Sequence, residues 1–326
     1  MTQPFHLVVA FAASASPAWA PTLRVLPPNT LRNLSLLLRG MKRVATSEGA
    51  ATSLSTPHER VLAAAAGIAT VATADGKIAW AAAEAARAGY PPGKAWAVIT
   101  PCHWAMGREH ATLTDPAGLA LTADESQSLR TAMQPYFATD GMTLHDAGAG
   151  RWLAEGEVLR ELPTASLDRV LGRNVDAWLP GTTTSACLRR LQNEMQMLLY
   201  THPLNDVRQA RGQRSVNSFW LSGSGALAQP LPTITGDGPT ATVSAPRTLA
   251  HAVFADDWAG YAAAWAALDA SELAELLARQ KAGQTVQLSL CGESHAQTFE
   301  TAKIGFFAQI SGVLRPKPWF SLLEQL

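Results

Sequence analysis

The composition of this chain is that of a globular protein without a dominant charge. It has 326 residues, of which 47% are hydrophobic and 16% are charged, and its 26 basic and 26 acidic side chains cancel. A chain of this length and composition can bury a sizeable core in one large or two medium domains. The balanced charge provides no general field that would attract nucleic acid or an anionic membrane, so we expect neither as a partner.

The cysteines and the amino-terminal residues bear on the cellular compartment. Cys102, Cys187 and Cys291 are odd in number and widely spaced, and they predict neither a disulfide framework nor a zinc site. The apolar run from Leu7 to Ala15 imitates a secretion signal, but no lysine or arginine precedes it. We therefore predict that this run begins with a buried strand and that the protein is cytoplasmic. No window reaches the roughly 18 consecutive apolar residues typical of a membrane span.

Short apolar runs alternate with helical patterns along the chain. Buried strands are predicted at Leu7–Phe11, Ala95–Ile99, Val216–Leu221 and Val286–Leu290. Helices are predicted at Thr30–Met41, Pro57–Gly67, Ile78–Ala88, Thr122–Met133, Ser185–Tyr200, Asp257–Ala267 and Ser271–Lys281. This alternation predicts an α/β protein with a mainly parallel sheet flanked by helices. Two stretches rich in Pro, Gly and Thr are predicted loops or linkers, Leu179–Thr184 and Gln229–Pro246.

The densest group of polar residues follows the helix that is predicted to end near Thr201. Pro203 disfavours helix at His202, and the polar residues that follow predict a turn. They are Asn205, Asp206, Arg208, Arg211 and Arg214. Guanidinium groups, amides and the backbone N–H groups of a glycine turn are donors that bind a carboxylate or a phosphate. The stretch therefore predicts an anion site, although three arginines in one turn are also typical of a solvated surface.

These residues resemble a segment of the archaeal-type cofactor-independent phosphoglycerate mutases, which belong to the alkaline phosphatase superfamily. The resemblance rests on His202, Pro203, Asn205, Arg208, Gly212, Asn217, Trp220, Gly223 and Gly225. Most of the chain is similar to a bacterial family that carries two labels, phosphoglycerate mutase-like and regulatory protein RpfE. The resemblance implies an alkaline-phosphatase-like core of residues 1–94 and 181–326, with a smaller α/β substrate-type subdomain inserted at 95–180. It also implies that the residues of the motif lie beside the phosphoglycerate pocket.

Enzymes of that family transfer a phosphoryl group by means of a serine nucleophile and two metal ions. Aspartates and histidines bind these metal ions. The resemblance implies a carboxylate just after the first strand, yet no Asp or Glu occurs before Glu48. Nearer the other end, Cys291, Glu293 and His295 form either a weak zinc cluster or a strand end whose Glu and His cap a following helix. The segment Thr46–Ser55 is rich in hydroxyl groups, but no base is adjacent and we name no catalytic serine.

A second polar stretch, Ala95–Leu113, places Cys102 and His103 at the end of a predicted strand. Neighbouring residues of an extended chain point to opposite faces, which argues against a Cys–His nucleophile pair. We expect His103, with Arg108 and His110 after it, to line the rim of the anion site instead.

The sequence thus predicts a phosphoglycerate mutase-like protein with a depleted metal site and a regulatory or ligand-sensing role. Its expected partner is a small phosphorylated or carboxylated metabolite, no cofactor is predicted, and a protein partner in regulation is left open. The expected ligand-binding residues are His202, Asn205, Arg208, Asn217, Trp220, Gly223, Gly225, His103 and Arg108.

Two alternatives stay open. The first is an active metal-dependent phosphomutase or phosphatase that binds Mn or Zn through displaced ligands. Candidate ligands of this kind are Asp75, Asp115, Asp146, Asp256, Asp257 and His251. The second is a scaffold that acts through protein contacts alone.

Overall fold

The computed structural model describes residues 5–70, 72–179, 186–231, 243–302 and 319–326. These residues form two compact units. The first unit contains the described residues of Met1–Thr52, Thr56–Ala65 and Thr233–Leu326, and the second contains those of Ser53–Ser55 and Ala66–Pro232. The second unit therefore extends on both sides beyond the predicted insert of 95–180. Most of both predicted linkers, Leu179–Thr184 and Gln229–Pro246, lies outside the described residues.

The first unit is a mixed sheet with helices packed on both faces. Its strands are β1 (Phe5–Val9), β2 (Met41–Glu48), β9 (Val243–Ser244), β10 (Val286–Cys291) and β11 (His295–Thr301), in the order β2-β11-β10-β1-β9. Its helices are α1 (Trp19–Arg24), α2 (Arg32–Arg39), α3 (Pro57–Ala65), α9 (Thr248–Phe254), α10 (Trp258–Ala270), α11 (Glu272–Lys281) and α12 (Trp319–Leu323). The predicted α/β class is confirmed. Parallel pairing holds for β1 with β9 and β10, whereas β11 pairs antiparallel with β10 and β2.

Strand β1 forms because an apolar run finds partners along both edges and on both faces. Leu7 and Val9 lie in the large core that α2, α10 and α11 cover, and Val8 packs on the opposite face beside α3. The amino-terminal apolar run thus begins with a buried strand, as predicted. The strand ends at Val9 rather than Phe11, because Phe11 adopts a left-handed backbone conformation with φ of 55° that turns the chain.

Two segments of the first unit differ from the sequence expectation. The predicted helix Thr30–Met41 ends at Arg39, and Met41–Glu48 forms an edge strand whose side chains after Met41 are mostly exposed. Such a strand has no apolar periodicity to reveal it. Glu293 and His295 do not cap a helix, because Cys291 pairs with Ala296 in the antiparallel β10–β11 pair and His295 begins β11.

The second unit is built on a four-stranded sheet in the order β6-β7-β3-β8, in which every pairing is antiparallel. Its strands are β3 (Trp96–Cys102), β6 (Thr143–Asp146), β7 (Trp152–Glu155) and β8 (Ser218–Gly225), with a separate hairpin of β4 (Trp104–Met106) and β5 (Ala111–Leu113). Its helices are α4 (Trp80–Arg87), α5 (Ala123–Thr139), α6 (Leu167–Val170), α7 (Ala186–Tyr200) and α8 (Pro203–Ala210). The predicted parallel arrangement does not extend to this unit.

Alternation along the strands supplies a core on each face of this second sheet. Ile99, Trp152 and Phe219 pack with α5 and α7, whereas Trp96 and Val98 pack with the alanine-rich face of α4. Helix α5 begins at a capping box, in which Thr122 and Glu125 each bind the other's backbone N–H group. Among the described residues, no helix has the length and apolar character needed to cross a membrane.

A buried polar chain crosses the first sheet from β1 to β11. His6 Nε2 lies 2.8 Å from Ser289 Oγ, and Ser289 Oγ lies 2.7 Å from Thr298 Oγ1. Burial lowers the pKa of His6 to about 4, from an ordinary value of 6.5. The unfolded chain therefore binds more protons than the folded chain between these two pH values, so protons favour unfolding there. The stability that neutral His6 provides is complete above pH 6.5 and is lost as the pH falls towards 4.

Replacing His6→Gln should flatten the acid side of the stability profile, because glutamine can bind Ser289 and does not titrate. Between pH 7 and pH 5 the unaltered protein should lose about 2 kcal/mol more unfolding free energy than the variant. Urea denaturation at both pH values measures this difference. Equal losses in the two proteins would show that His6 does not titrate differently on folding.

Candidate functional site

The predicted polar turn after Thr201 is a helix. Pro203 occupies the first turn of α8, where its missing N–H group is not needed, and His202 is the N-cap residue. His202 Nδ1 accepts a hydrogen bond from Leu204 N at 3.2 Å, and burial lowers the pKa of this histidine. The Pro203 signal that predicted the end of one helix also marked the start of the next.

Arg208 is fully buried, with an exposed fraction of 0%. Its Nη1 donates to Glu125 Oε2 at 2.8 Å, its Nη2 to Leu119 O at 2.6 Å, and its Nε to Arg214 O at 2.9 Å. The same Glu125 oxygen accepts Thr122 N of the capping box at 3.1 Å. The guanidinium therefore joins α8 to the start of α5, and each of its three nitrogens donates to a protein acceptor.

Asn205 and Asn217 also bind backbone groups. Asn205 Nδ2 donates to Leu199 O and Val216 O, each at 2.7 Å, and its Oδ1 accepts Val216 N at 2.9 Å. Asn217 pairs with both backbone groups of Trp104, at 2.7 and 2.9 Å. Both side-chain amides therefore bind backbone N–H and C=O groups in the way that the backbone of a neighbouring strand would.

The aromatic and glycine residues of the motif support packing. Trp220 Nε1 donates to Ala165 O at 3.1 Å in a buried position. Gly223 has a φ of 61°, and a Cβ atom there would lie 2.9 Å from Trp80 Cβ. At Gly225 a Cβ atom would lie 3.3 Å from Ala79 Cβ. The two glycines thus allow α4 to approach strand β8 closely.

His103 and Arg108 lie in different surroundings. His103 is half-buried, and its Nδ1 donates to Ser215 O at 2.9 Å, which ties the start of the β4–β5 hairpin to the segment before β8. Arg108 lies at the exposed tip of that hairpin. The structure thus brings His103, Asn217 and Trp104 together and leaves Arg108 at the surface. Ligand binding by the sequence-predicted residues stays a prediction.

The candidate metal ligands also have structural contacts. Burial raises the thiol pKa of Cys291 and of Cys102, and Glu293 Oε1 accepts Ser14 Oγ at 2.7 Å and Ala15 N at 3.1 Å. Asp75 accepts Leu54 N and Ser55 N. Across the described ranges, no three His, Cys, Asp or Glu side chains are placed to hold a metal ion together.

A cleft that the sequence did not reveal opens in the first unit. Its volume is about 600 Å³, and it lies between the end of α1, the length of α2 and the start of α12. Three arginines line it, Arg24, Arg32 and Arg39. Arg24 meets Glu324 Oε1 at 3.3 Å, and in the part of the chain that the structure describes the guanidinium groups of Arg32 and Arg39 have no hydrogen-bond or ion-pair partner.

Arg24 is held at the cleft by an aromatic stack. Its Cζ atom lies 5.2 Å from the ring centre of Phe320, and Phe320 is stacked on Trp19 with ring centres 5.9 Å apart. Trp19 Nε1 donates to the Tyr261 hydroxyl at 3.2 Å, and that hydroxyl lies 2.8 Å from Phe11 O. Tyr261 and Trp265 are both fully buried in α10, and burial raises the phenol pKa of Tyr261.

The hydroxyl groups of the cleft are already engaged as donors. Thr30 donates to Pro27 O and Ser35 donates to Leu31 O, each at 2.8 Å. The amino-terminal N–H groups of α2 are likewise used, because Asp269 accepts Asn33 N and Leu34 N at 3.0 and 2.8 Å. The guanidinium groups are therefore the principal donors that the cleft offers to a ligand.

No protein-family model matches the sequence, and a comparison with curated proteins finds no match. Among solved structures, the PH0037 protein from Pyrococcus horikoshii is similar at 12% identity and a TM-score of 0.44, over 96% of this chain and 93% of that one. A cofactor-independent phosphoglycerate mutase from Thermoplasma acidophilum is similar at 12% identity and a TM-score of 0.35, over 100% of this chain and 99% of that one. At this degree of similarity, function is inferred from the residues of the chain itself.

Replacing Arg208→Met should destabilise the protein by about 3 kcal/mol or more, because it removes the buried positive charge that pairs with Glu125 and the donors to the carbonyl groups of Leu119 and Arg214. The exposed Arg211, one turn further along, provides the matched control, and Arg211→Ala should change stability by less than about 0.5 kcal/mol. Urea denaturation of both variants makes the comparison. Similar stabilities would mean that the Arg208 network contributes little to folding.

Replacing Gly223→Ala should be more costly than replacing Gly212→Ala. Both glycines have a positive φ, 61° and 68°, so each variant incurs about 1 kcal/mol of backbone strain. Only at Gly223 does the new methyl group meet Trp80, whereas nothing lies within 4 Å of a Cβ atom at Gly212. Thermal denaturation should therefore show an additional loss of roughly 1–2 kcal/mol for Gly223→Ala. Equal losses would exclude close packing at Gly223 as the cause.

Proposed function

We propose that this protein binds a small phosphorylated or carboxylated metabolite and acts as a regulatory ligand sensor. In this proposal it has a phosphoglycerate mutase-like fold without the phosphotransfer activity. The observation that carries the proposal is the cleft of about 600 Å³ lined by Arg24, Arg32 and Arg39. Its volume lies in the range of ordinary small-molecule sites.

The charge of the cleft favours an anion. Three guanidinium groups line it. Among the described residues, the carboxylate that pairs with one of them is that of Glu324, which meets Arg24. The Arg24–Glu324 pair is solvent-exposed, so a competing anion displaces that carboxylate at little cost. Charge-assisted hydrogen bonds from arginine to carboxylate or phosphate are stronger and more directional than those from neutral donors.

Contacts within the first unit supply a means of sensing. Arg24 contacts Phe320, Phe320 stacks on Trp19, and Trp19 binds Tyr261, whose hydroxyl lies against the turn after β1. That turn contains Phe11 in a left-handed conformation that non-glycine residues adopt at a cost. An anion that moves Arg24 thereby acts on a strained segment, which is the kind of element whose population a ligand shifts.

This proposal places the ligand in the first unit rather than at the sequence-predicted residues 202–225. Arg208, Asn205 and Asn217 already bind the protein through their polar atoms, which supports a scaffolding role for them. The turn after β1, where the resemblance implies a metal-binding carboxylate, has the sequence Ala10-Phe11-Ala12-Ala13-Ser14. Its residues fit packing and hydrogen bonding to Tyr261, which supports a binding protein over an enzyme of that type.

Ligand binding should raise the unfolding temperature of the protein, because a ligand that binds only the folded state stabilises it. With 3-phosphoglycerate or inorganic phosphate at about a hundred times its dissociation constant, the unfolding free energy should rise by about 2.7 kcal/mol. The rise should shrink as potassium chloride is added, because salt screens exposed charges. Differential scanning fluorimetry across anion and salt concentrations measures both effects.

The Arg32→Ala, Arg39→Ala double variant should lose most of this stabilisation. Arg43→Ala is the matched control, because Arg43 is an exposed arginine of the same unit that does not line the cleft. Equal anion responses in the two variants would move the site away from the cleft. No response in any of the proteins would contradict the proposed function, and two tightly bound Mn or Zn ions per chain in the purified protein would support the enzyme alternative.

A further inference from the structure

The cleft is larger and more apolar than a simple inorganic anion requires. Leu26, Leu36 and Trp319 line it together with the arginines. Inorganic phosphate fills only a small part of about 600 Å³ and leaves these side chains in contact with water. Removing apolar surface from water lowers the free energy. A ligand that covers these side chains therefore binds more tightly than one that contacts the arginines alone.

The positions of charged and apolar side chains on α2 alternate along one face. Arg32 and Arg39 are seven residues apart, which is two turns of a helix and roughly 10 Å along its axis. Leu36 lies between them at helical spacing, four residues after Arg32 and three before Arg39. A ligand along this face therefore contacts both a guanidinium and an apolar side chain.

The two aromatic residues that line the cleft, Phe320 and Trp319, make different contacts. One face of Phe320 is stacked on Trp19, and Arg24 lies over the ring at 5.2 Å. Trp319 makes a T-shaped contact with Phe320, with ring planes at 81°, and also lines the cleft. Phe320 therefore holds Arg24 in place, whereas Trp319 adds aromatic surface to the lining of the cleft.

Building on the proposed function, we infer that the ligand is an amphiphilic organic anion, a carboxylate or phosphate monoester attached to an acyl or aryl body. Its charged group binds the guanidinium groups, and its apolar body covers Leu26, Leu36 and Trp319. Neither part alone uses the whole cleft. A small inorganic anion lacks the apolar contact, and a neutral aryl compound lacks the charge.

Isothermal titration of the unaltered protein with matched pairs of probes tests this inference. Phenyl phosphate should bind at least about tenfold more tightly than inorganic phosphate, and benzoate at least about tenfold more tightly than acetate. The reason is that burying one aromatic ring removes enough apolar surface from water to raise the affinity by this factor. The pair that binds more tightly identifies the charged group. Benzyl alcohol, which has the ring without the charge, should bind more weakly than either aryl anion.

The outcomes separate this inference from the proposed function. Equal affinities for phenyl phosphate and inorganic phosphate would overturn the amphiphilic ligand and leave anion sensing in place, whereas no binding of any probe would overturn both. Leu36→Ala should reduce the advantage of phenyl phosphate and preserve phosphate binding. Val25→Ala is its control, because Val25 is a nearby exposed residue outside the lining. The inference would also be overturned if phenyl phosphate kept its full affinity advantage over inorganic phosphate in both Leu36→Ala and Trp319→Ala.

Discussion

The buried guanidinium of Arg208 is the interaction around which the second unit is arranged. A charge without access to water must have its N–H groups satisfied by the protein, and here the acceptors are the Glu125 carboxylate and the carbonyl groups of Leu119 and Arg214. These acceptors belong to three different segments, so all three must be in place before the charge can be buried. The requirement explains why so many polar residues gather between 202 and 217. They hold irregular chain together where strands and helices meet.

The sequence predicted the regular part of the fold from patterns that are local. Apolar runs identified β1, β3, β8 and β10, and the predicted helix Thr122–Met133 began where α5 begins. Strand β2 was not predicted, because an edge strand with exposed side chains has no apolar pattern and depends on pairing with the distant β11. Helix α8 was predicted as a turn, because its proline was interpreted only as an end signal.

The candidate site was harder to predict than the fold, for a related reason. Polar density along the sequence pointed to residues 202–225, but burial and hydrogen bonding decide whether a polar group faces a ligand or the scaffold. The cleft combines Arg24, Arg32 and Arg39 with Trp319 and Phe320, which lie some 280 residues further along the chain. The seven-residue spacing of Arg32 and Arg39 was the one local signal of this cleft in the sequence. Its meaning depends on long-range packing that the sequence does not display.

The order of segments along the chain has a consequence for biosynthesis. Strand β1 is made early, yet its partners β9 and β10 follow the whole second unit, with Phe5 paired to Val286. On the ribosome, the second unit can therefore complete its sheet while β1 still lacks both neighbours. Domains usually fold from the amino terminus during synthesis, whereas the sheet of the first unit cannot be completed before the second unit has been made. The apolar segment Leu7–Val9 therefore stays without its partner strands until the residues that follow the second unit have been made.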